Sequence, residues 1–354
     1  MIARKLLRVV PIVAVVVLVG MSAGAASPLN FRSYLSSSGN DANPCTLQQQ
    51  CRLLPRALSM TVPGGEVWLL DSANYNTDQV LIAAPVSILA IPGAVGSFVA
   101  AGGGDALNIN VPPGTTGGVN LDNLVIRPFG SSFNGGITLQ SDTNLTVSHC
   151  KFIGPLNHAV QWFPAHKDSI FPPSGPGVVF QHSEISGANN GIVVSPGATG
   201  TEVANLTIND TVISSVSGNA IGFGSGGTLE MDGVHLIGSG SSLSGTGVEI
   251  ATTGVTQIGA HISNSVIGGF NIGVQATQTA PTPHVGVSIS GSVIKDSGTG
   301  TLSNGARILL DNDRIVNNGK GVGSSAISAT VSTGNNTFDN NQTANDPFGT
   351  APHN

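Results

Sequence analysis

One nine-residue stretch recurs along most of this chain, and it leaves few folds open. Leu206-Thr207-Ile208-Asn209-Asp210-Thr211-Val212-Ile213-Ser214 has apolar residues at its first, third and eighth places. Its fifth place holds a residue that tolerates a left-handed turn. The frame restarts at Val119, Leu145, Val178, Leu206, Leu229, Ala260, Val287, Ile308 and Val331, at spacings of 26, 33, 28, 23, 31, 27, 21 and 23 residues. A constant frame with insertions of varying length is the mark of a stacked solenoid.

The columns of the frame have a physical reading. The third place holds Leu121, Val147, Phe180, Ile208, Met231, Ile262, Ile289, Leu310 and Thr333; the eighth holds Ile126, Phe152, Ile185, Ile213, Leu236, Ile267, Ile294, Ile315 and Phe338. These side chains are expected to stack inside a cylinder. The fifth place holds Asn123, His149, His182, Asp210, Gly233, Asn264, Gly291, Asn312 and Asn335, the residue types that accept positive φ. The chain is therefore expected to turn sharply there, between two short strands, on every rung. Gly136-Ile137, Gly191-Ile192, Gly247-Val248, Gly273-Val274 and Gly321-Val322 mark a third strand after a bend. Three short strands per repeat predict an all-β fold, a right-handed parallel β-helix, with handedness taken from the crossover rule. A β-propeller needs ~40–50 residues per blade, and a leucine-rich repeat its own Leu/Asn spacing. About 12 coils at ~4.8 Å would make a rod on the order of 55 Å long. Disorder does not fit a chain that is 40% hydrophobic with periodic Val and Ile, even with 48 Gly.

The ends carry other signals. Arg4, Lys5 and Arg8, the apolar run from Val9 to Val19 and the small residues Ala23-Gly24-Ala25 predict a cleaved secretory signal over 1–26. Removing it takes three of the 13 basic residues and no acidic ones, leaving 10 against 19 and a formal charge of −9. That balance argues against nucleic acid or an anionic membrane as partner. No later segment is apolar enough to span a bilayer. In an exported chain, Cys45 and Cys51 predict a disulfide. Leu53, Leu54, Ala57, Leu58 and Met60 have helical spacing, and a short helix there would cap the open end of the solenoid within an N-terminal unit, 27–65. The β-helix is expected over 66–345 and a flexible tail over 346–354. Cys150 follows the turn of its rung and reads as a small buried residue rather than a nucleophile.

The alternation, the Asn-rich turn column and the secretory start resemble right-handed parallel β-helix proteins of the pectate-lyase-like class. More narrowly, Ser36-Ser37-Ser38-Gly39-Asn40-Asp41-Ala42-Asn43-Pro44-Cys45, Cys51 and Gly64-Gly65-Glu66-Val67 resemble exported bacterial β-helix proteins of uncharacterised function. The resemblance implies a fold, and among enzymes of that fold polysaccharide cleavage on an exposed strand face. The motifs such enzymes would imply are missing. Asp210 and Asp232 are a rung apart at different places, which is not a Ca²⁺-binding cluster. Asp-Asp and Gly-His-Gly are absent, and Arg307-Ile308-Leu309 lacks the Lys of an Arg-Ile-Lys. No metal and no cofactor is expected.

The candidate glycan-binding site is the insertion of the longest rung, through His158, Trp162, Phe163, His166, Lys167 and Asp168 to Pro172-Pro173, with His182 and Glu184 on the next rung. The insertion concentrates aromatic and His residues, and long loops on a rigid scaffold are where binding groups tend to sit. Aromatic faces stack on sugar rings while His, Lys and Asp supply hydrogen bonds; Trp162 and Phe163 equally suit packing of the loop onto the rod. The function expected is that of a secreted or periplasmic β-helix which binds glycan or associates with envelope or matrix without catalysis. The alternative is a polysaccharide lyase or glycoside hydrolase with a non-standard site.

Overall fold

The computed structural model describes residues 28–129, 134–167, 175, 177–196, 199–239, 243–252, 256–279, 284–325 and 329–350. The expected signal, 1–26, lies outside them. The described chain is a right-handed parallel β-helix. Three all-parallel sheets run along it: sheet A of 13 strands, sheet B of 11 and sheet C of 10. Each full coil adds one strand to A, then B, then C.

The register follows the frame. Val119, Leu145, Val178, Leu206, Leu229, Ala260, Val287 and Ile308 are successive partners in sheet A. The third-place residues from Leu121 to Leu310 and the eighth-place residues from Ile126 to Ile315 are buried and share one core. The fifth place has positive φ at Asn123, His149, His182, Asp210, Gly233, Asn264, Gly291 and Asn312, so it forms the A–B corner. The last rung departs by one residue. Thr330, not Val331, lies opposite Ile308, and Gly334 rather than Asn335 takes the positive φ. Thr330 and Ser332 therefore face inward there.

A second corner, between sheets B and C, falls at the tenth place of the frame. Gly154, Gly187, Ser215, Gly269, Asp296, Asn317 and Asn340 all have positive φ there. Where a Gly precedes the first inward residue of a sheet C strand, it has a steric reason. At Gly191 a Cβ would lie 2.2 Å from the carbonyl oxygen of Ala220 on the next coil.

The sixth place forms a buried polar ladder. The N–H of Cys150 donates to Ser183 Oγ (3.1 Å), that of Val234 to Ser265 Oγ (3.1 Å) and that of Ser265 to Ser292 Oγ (3.1 Å). The N–H of Ser292 donates to Asp313 Oδ1 (2.8 Å) and that of Asp313 to Asn336 Oδ1 (2.7 Å). Corner amides that cannot join a sheet are satisfied in this way, which a dry interior requires.

Both ends of the cylinder are covered. At the N-terminal end the helix Leu54–Met60 buries Leu54, Ala57 and Met60. The Cys45–Cys51 disulfide closes the loop before it, and Asp41 Oδ1 accepts the N–H of Arg52 (2.8 Å) and of Leu53 (2.9 Å). Replacing both cysteines by serine is expected to lower stability by about 2 kcal/mol through the freed loop, read as a lower urea midpoint at unchanged slope.

At the other end, the segment from Asn341 to Phe348 lies against the last coil. Asn341, Asn345 and Asp346 accept the N–H groups of Asn318 (3.0 Å), Val322 (2.9 Å) and Ser324 (2.9 Å). Lys320 pairs with Asp346 (2.9 Å), and Phe348 packs on Phe338. These polar side chains supply acceptors for the last coil's open edge.

Candidate functional site

The structure disperses the residues expected to form a site. Trp162 faces inward in sheet C between Leu139 and Val194 and is 1% exposed. It is a core residue, and its ring is not available to a sugar. The alternation of its strand, His158–Trp162, sends its side chain inside. Phe163, one residue on, is 40% exposed. His182 stands on the A–B corner, stacked on His149 (5.3 Å between ring centres) and 3.5 Å from Asp210. Glu184 lies on sheet B and pairs with Lys151 (3.0 Å). His166 and Lys167 lie on the connection from C to A, where Lys167 bridges to Glu202 in antiparallel fashion and places Nζ 4.0 Å from its carboxylate. Asp168 lies outside the described residues. The expected groups thus occupy different corners and faces of the coil rather than one groove.

His158 does have a built environment. It is buried beside Asp105 and Thr138, which belong to two preceding coils. Its Nε2 lies 3.6 Å from Asp105 Oδ1 and 3.4 Å from Thr138 Oγ1. Thr138 Oγ1 donates to the other Asp105 oxygen, and the Gly135 N–H donates to Oδ1 (2.9 Å). Burial alone would raise the Asp105 carboxyl; the His158, Thr138 and Gly135 hydrogen bonds outweigh it and hold the carboxyl below its usual range. Each member finds its partner within the cluster, so it fastens three coils together. Cys150 is buried in the core, and burial pushes its thiol up to about 12, which leaves no thiolate for chemistry at neutral pH.

The outer face of sheet A is built differently. In the register, Arg32, Glu66, Ser87, Asn120, Thr146, Val179, Thr207, Glu230, His261, Ser288 and Leu309 form one outward column. The column beside it runs Asn205, Thr228, Gly259, Gly286 and Arg307. Gly259 and Gly286 are adjacent and carry no side chain, so the face drops into an open trench. Thr228, Glu230, His261, Ser288, Arg307 and Leu309 line it. A Cβ at Gly286 would meet nothing within 4 Å, and its φ is not in the left-handed range. The glycine there leaves room outside the fold rather than relieving strain within it.

The N-terminal end of the same face carries the chain's other tryptophan. Trp68 Nε1 donates to Glu66 Oε2 (2.8 Å), which also accepts Arg32 Nε (2.6 Å). The Arg32 guanidinium lies 4.1 Å from the Trp68 ring centre, and Tyr34 meets the ring edge-on. Hydrogen bonding to Arg32 lowers the Glu66 carboxyl, against the pull of its burial. Between this aromatic group and the trench the face presents mostly Ser, Thr, Asn and Gln. None of Trp68, Glu230, His261 or Arg307 emerged as a site candidate from local enrichment. The available signal was the register itself: Gly259 and Gly286 both occupy the place just before the first of the frame, on consecutive rungs.

The architecture is shared with solved parallel β-helices. The solved structure of pectate lyase Pel9A superposes with a TM-score of 0.51 at 12% identity, over 89% of this chain and 78% of that one. A rhamnogalacturonan lyase structure gives 0.40 at 13% identity, over 81% and 74%. The catalytic unit of an α-1,3-glucanase from Streptomyces thermodiastaticus gives 0.41 at 13% identity, over 82% and 64%. At such identity the Pel9A likeness establishes architecture alone. No protein-family model and no curated protein sequence matches the chain.

Proposed function

We propose that the protein is an exported glycan-binding β-helix that holds a polysaccharide along the outer face of sheet A, without cleaving it. The observation that carries this reading is the trench. It is floored by backbone at Gly259 and Gly286, and walled by hydroxyl, imidazole, carboxylate and guanidinium groups. Sugars present hydroxyl edges and apolar ring faces together, and the wall offers both polar groups and Leu309. The Ser/Thr/Asn/Gln face continues the same hydrogen-bonding chemistry toward Trp68, which suits an extended chain. Export is supported by the Cys45–Cys51 disulfide and the signal-like start. That solved β-helices of this architecture include polysaccharide lyases fits a glycan partner.

A second reading, polysaccharide lyase or glycoside hydrolase, is favoured by the carboxylate-held His158 alone. A panel of neutral and uronic-acid polysaccharides separates the two: retention without new reducing ends or unsaturated products supports binding, and turnover supports catalysis. For the best-retained oligosaccharide, Gly286→Phe is expected to fill the trench and raise Kd at least about tenfold, or 1.4 kcal/mol. The melting temperature should be unchanged. Arg307→Ala should weaken binding in the same direction. Equal affinity of both variants and the parent by calorimetry would remove the trench from the proposal.

A further inference from the structure

The fourth place of the frame gives sheet A another outward column, beside the one that reaches the trench. It opens on Tyr34, Trp68 and Leu89 over three successive coils and continues as Asp122, Ser148 and Gln181. Two aromatic rings and a leucine thus stand outside the cylinder at its N-terminal end, and none of the three is buried. The interior does not need them: Val67 and Leu69, which alternate with Trp68 along the strand, fill it. The group is nevertheless fixed in place. Glu66 accepts both Arg32 Nε and Trp68 Nε1, and the Arg32 guanidinium lies over the indole. The side chains of Arg32 and Glu66 remain 39% and 26% exposed, so the stack is open to a ligand.

We infer that this group is a second sugar subsite, reached only by a glycan long enough to extend from the trench along the rod. The inference rests on the trench reading and adds a distant anchor to it. Trp68 offers an apolar indole to a sugar ring and keeps its polar edge on Glu66. Arg32 offers guanidinium donors whose side chain is already held by Glu66, so little freedom is lost on binding. The path between the two subsites is continuous in chemistry. From Glu66 to Glu230 the outward column runs Ser87, Asn120, Thr146, Val179 and Thr207, one uncharged residue per coil. Six coil steps at ~4.8 Å separate Glu66 from Glu230, roughly 29 Å. A disaccharide seated in the trench does not span that distance. A longer chain does, and its contact with Trp68 is then intramolecular, which raises affinity without any new contact in the trench.

The chain has two tryptophans, and Trp162 is 1% exposed, so quenching of fluorescence by acrylamide reports on Trp68. Oligomers of the best-retained polysaccharide, graded in length, are titrated by calorimetry and by quenching. Kd is expected to fall at least about fivefold once the oligomer covers the ~29 Å span. Only those longer oligomers should shield Trp68 from the quencher. Trp68→Ala should return long oligomers to the affinity of short ones, leave the short ones unchanged and keep the melting temperature. Should that variant not fold, the quenching of the parent decides. A Kd independent of length, or Trp68 quenched equally with and without a long oligomer, would overturn the inference and leave the trench standing if Gly286→Phe still weakens binding. Indifference of every oligomer to Gly286→Phe would remove the trench, and this inference with it.

Discussion

A chain ending at Asn340 is expected to lose the order of its last coil and to aggregate on warming. The strand Lys320–Ser324 ends sheet C, and beyond it no further strand of that sheet is described. Its outward-pointing amides are satisfied instead by side chains of the segment that follows: Asn341 for Asn318, Asn345 for Val322, Asp346 for Ser324. The Lys320–Asp346 pair and the Phe338–Phe348 contact add to the docking. At ~1 kcal/mol per hydrogen bond, the truncation removes about 3–5 kcal/mol of local stabilisation. In a solenoid each coil contacts only its neighbours, so that loss appears as fraying of the end rather than as global unfolding. The frayed end then offers a row of free N–H and C=O groups, the template for edge-to-edge association. Hydrogen exchange should show amides from Ile308 to Ser324 unprotected in the truncated chain, and light scattering should rise at a lower temperature. Full protection of Asn318 and Val322 without the tail would show that the docking is incidental.

The second large effect concerns Asp313, the one carboxyl in the buried ladder, where other rungs place Ser183, Thr211, Ser265 and Ser292. It is 1% exposed and accepts the N–H of Ser292 (2.8 Å) and of Asp311 (3.0 Å). Burial raises it, those two hydrogen bonds oppose the rise, and Asp311 nearby adds to it; the carboxyl is pushed up to about 6. The folded chain therefore holds this proton more tightly than the unfolded one, whose carboxyl titrates near its ordinary value. Between about pH 4 and pH 6 the folded state binds more protons, so stability falls as pH rises through that window and stays lower above it. The full span corresponds to about 3 kcal/mol for a shift of roughly two units. Asp313→Asn keeps one acceptor for Ser292 and cannot ionise. At pH 7.5 it should be more stable than the parent by about 1–2 kcal/mol, less than the full span because the Asp311 N–H loses its acceptor. At pH 4 the order should reverse or vanish. Urea midpoints of both chains at the two pH values decide it, and parallel pH profiles would refute the role of Asp313.

Much of the architecture could be read from residues because the solenoid repeats. Each rung tests the same places again, so one ambiguous side chain is corrected by its column. Positive φ at Asp210 follows from Asn, His and Gly in the same place on other rungs, and so does the burial of Ile208 and Ile213. The last rung shows where this stops: one extra residue between the turn and Phe338 puts the turn at Gly334, and Thr330 and Ser332 replace large apolar residues inside. The tenth-place corner was legible in principle, as Gly, Ser, Asp and Asn, but its mixed composition resembles an ordinary loop until the coils are stacked.

The site was less legible for a physical reason. Local enrichment pointed to Trp162 and its neighbours, but a five-residue strand that alternates in and out buries Trp162 whatever its chemistry suggests. Enrichment counts residues and does not know which side of the sheet they take. The trench arises from two glycines separated by 27 positions, and Gly259 and Gly286 become one feature only when their coils lie ~4.8 Å apart. The sequence by itself determined the coil: its three strands, its left-handed A–B corner and its aliphatic core, because these are repeated local choices of backbone and polarity. Only the tertiary structure decided what the coils present in common, the trench on sheet A and the capped last edge, because each joins residues that meet only across the stacking direction.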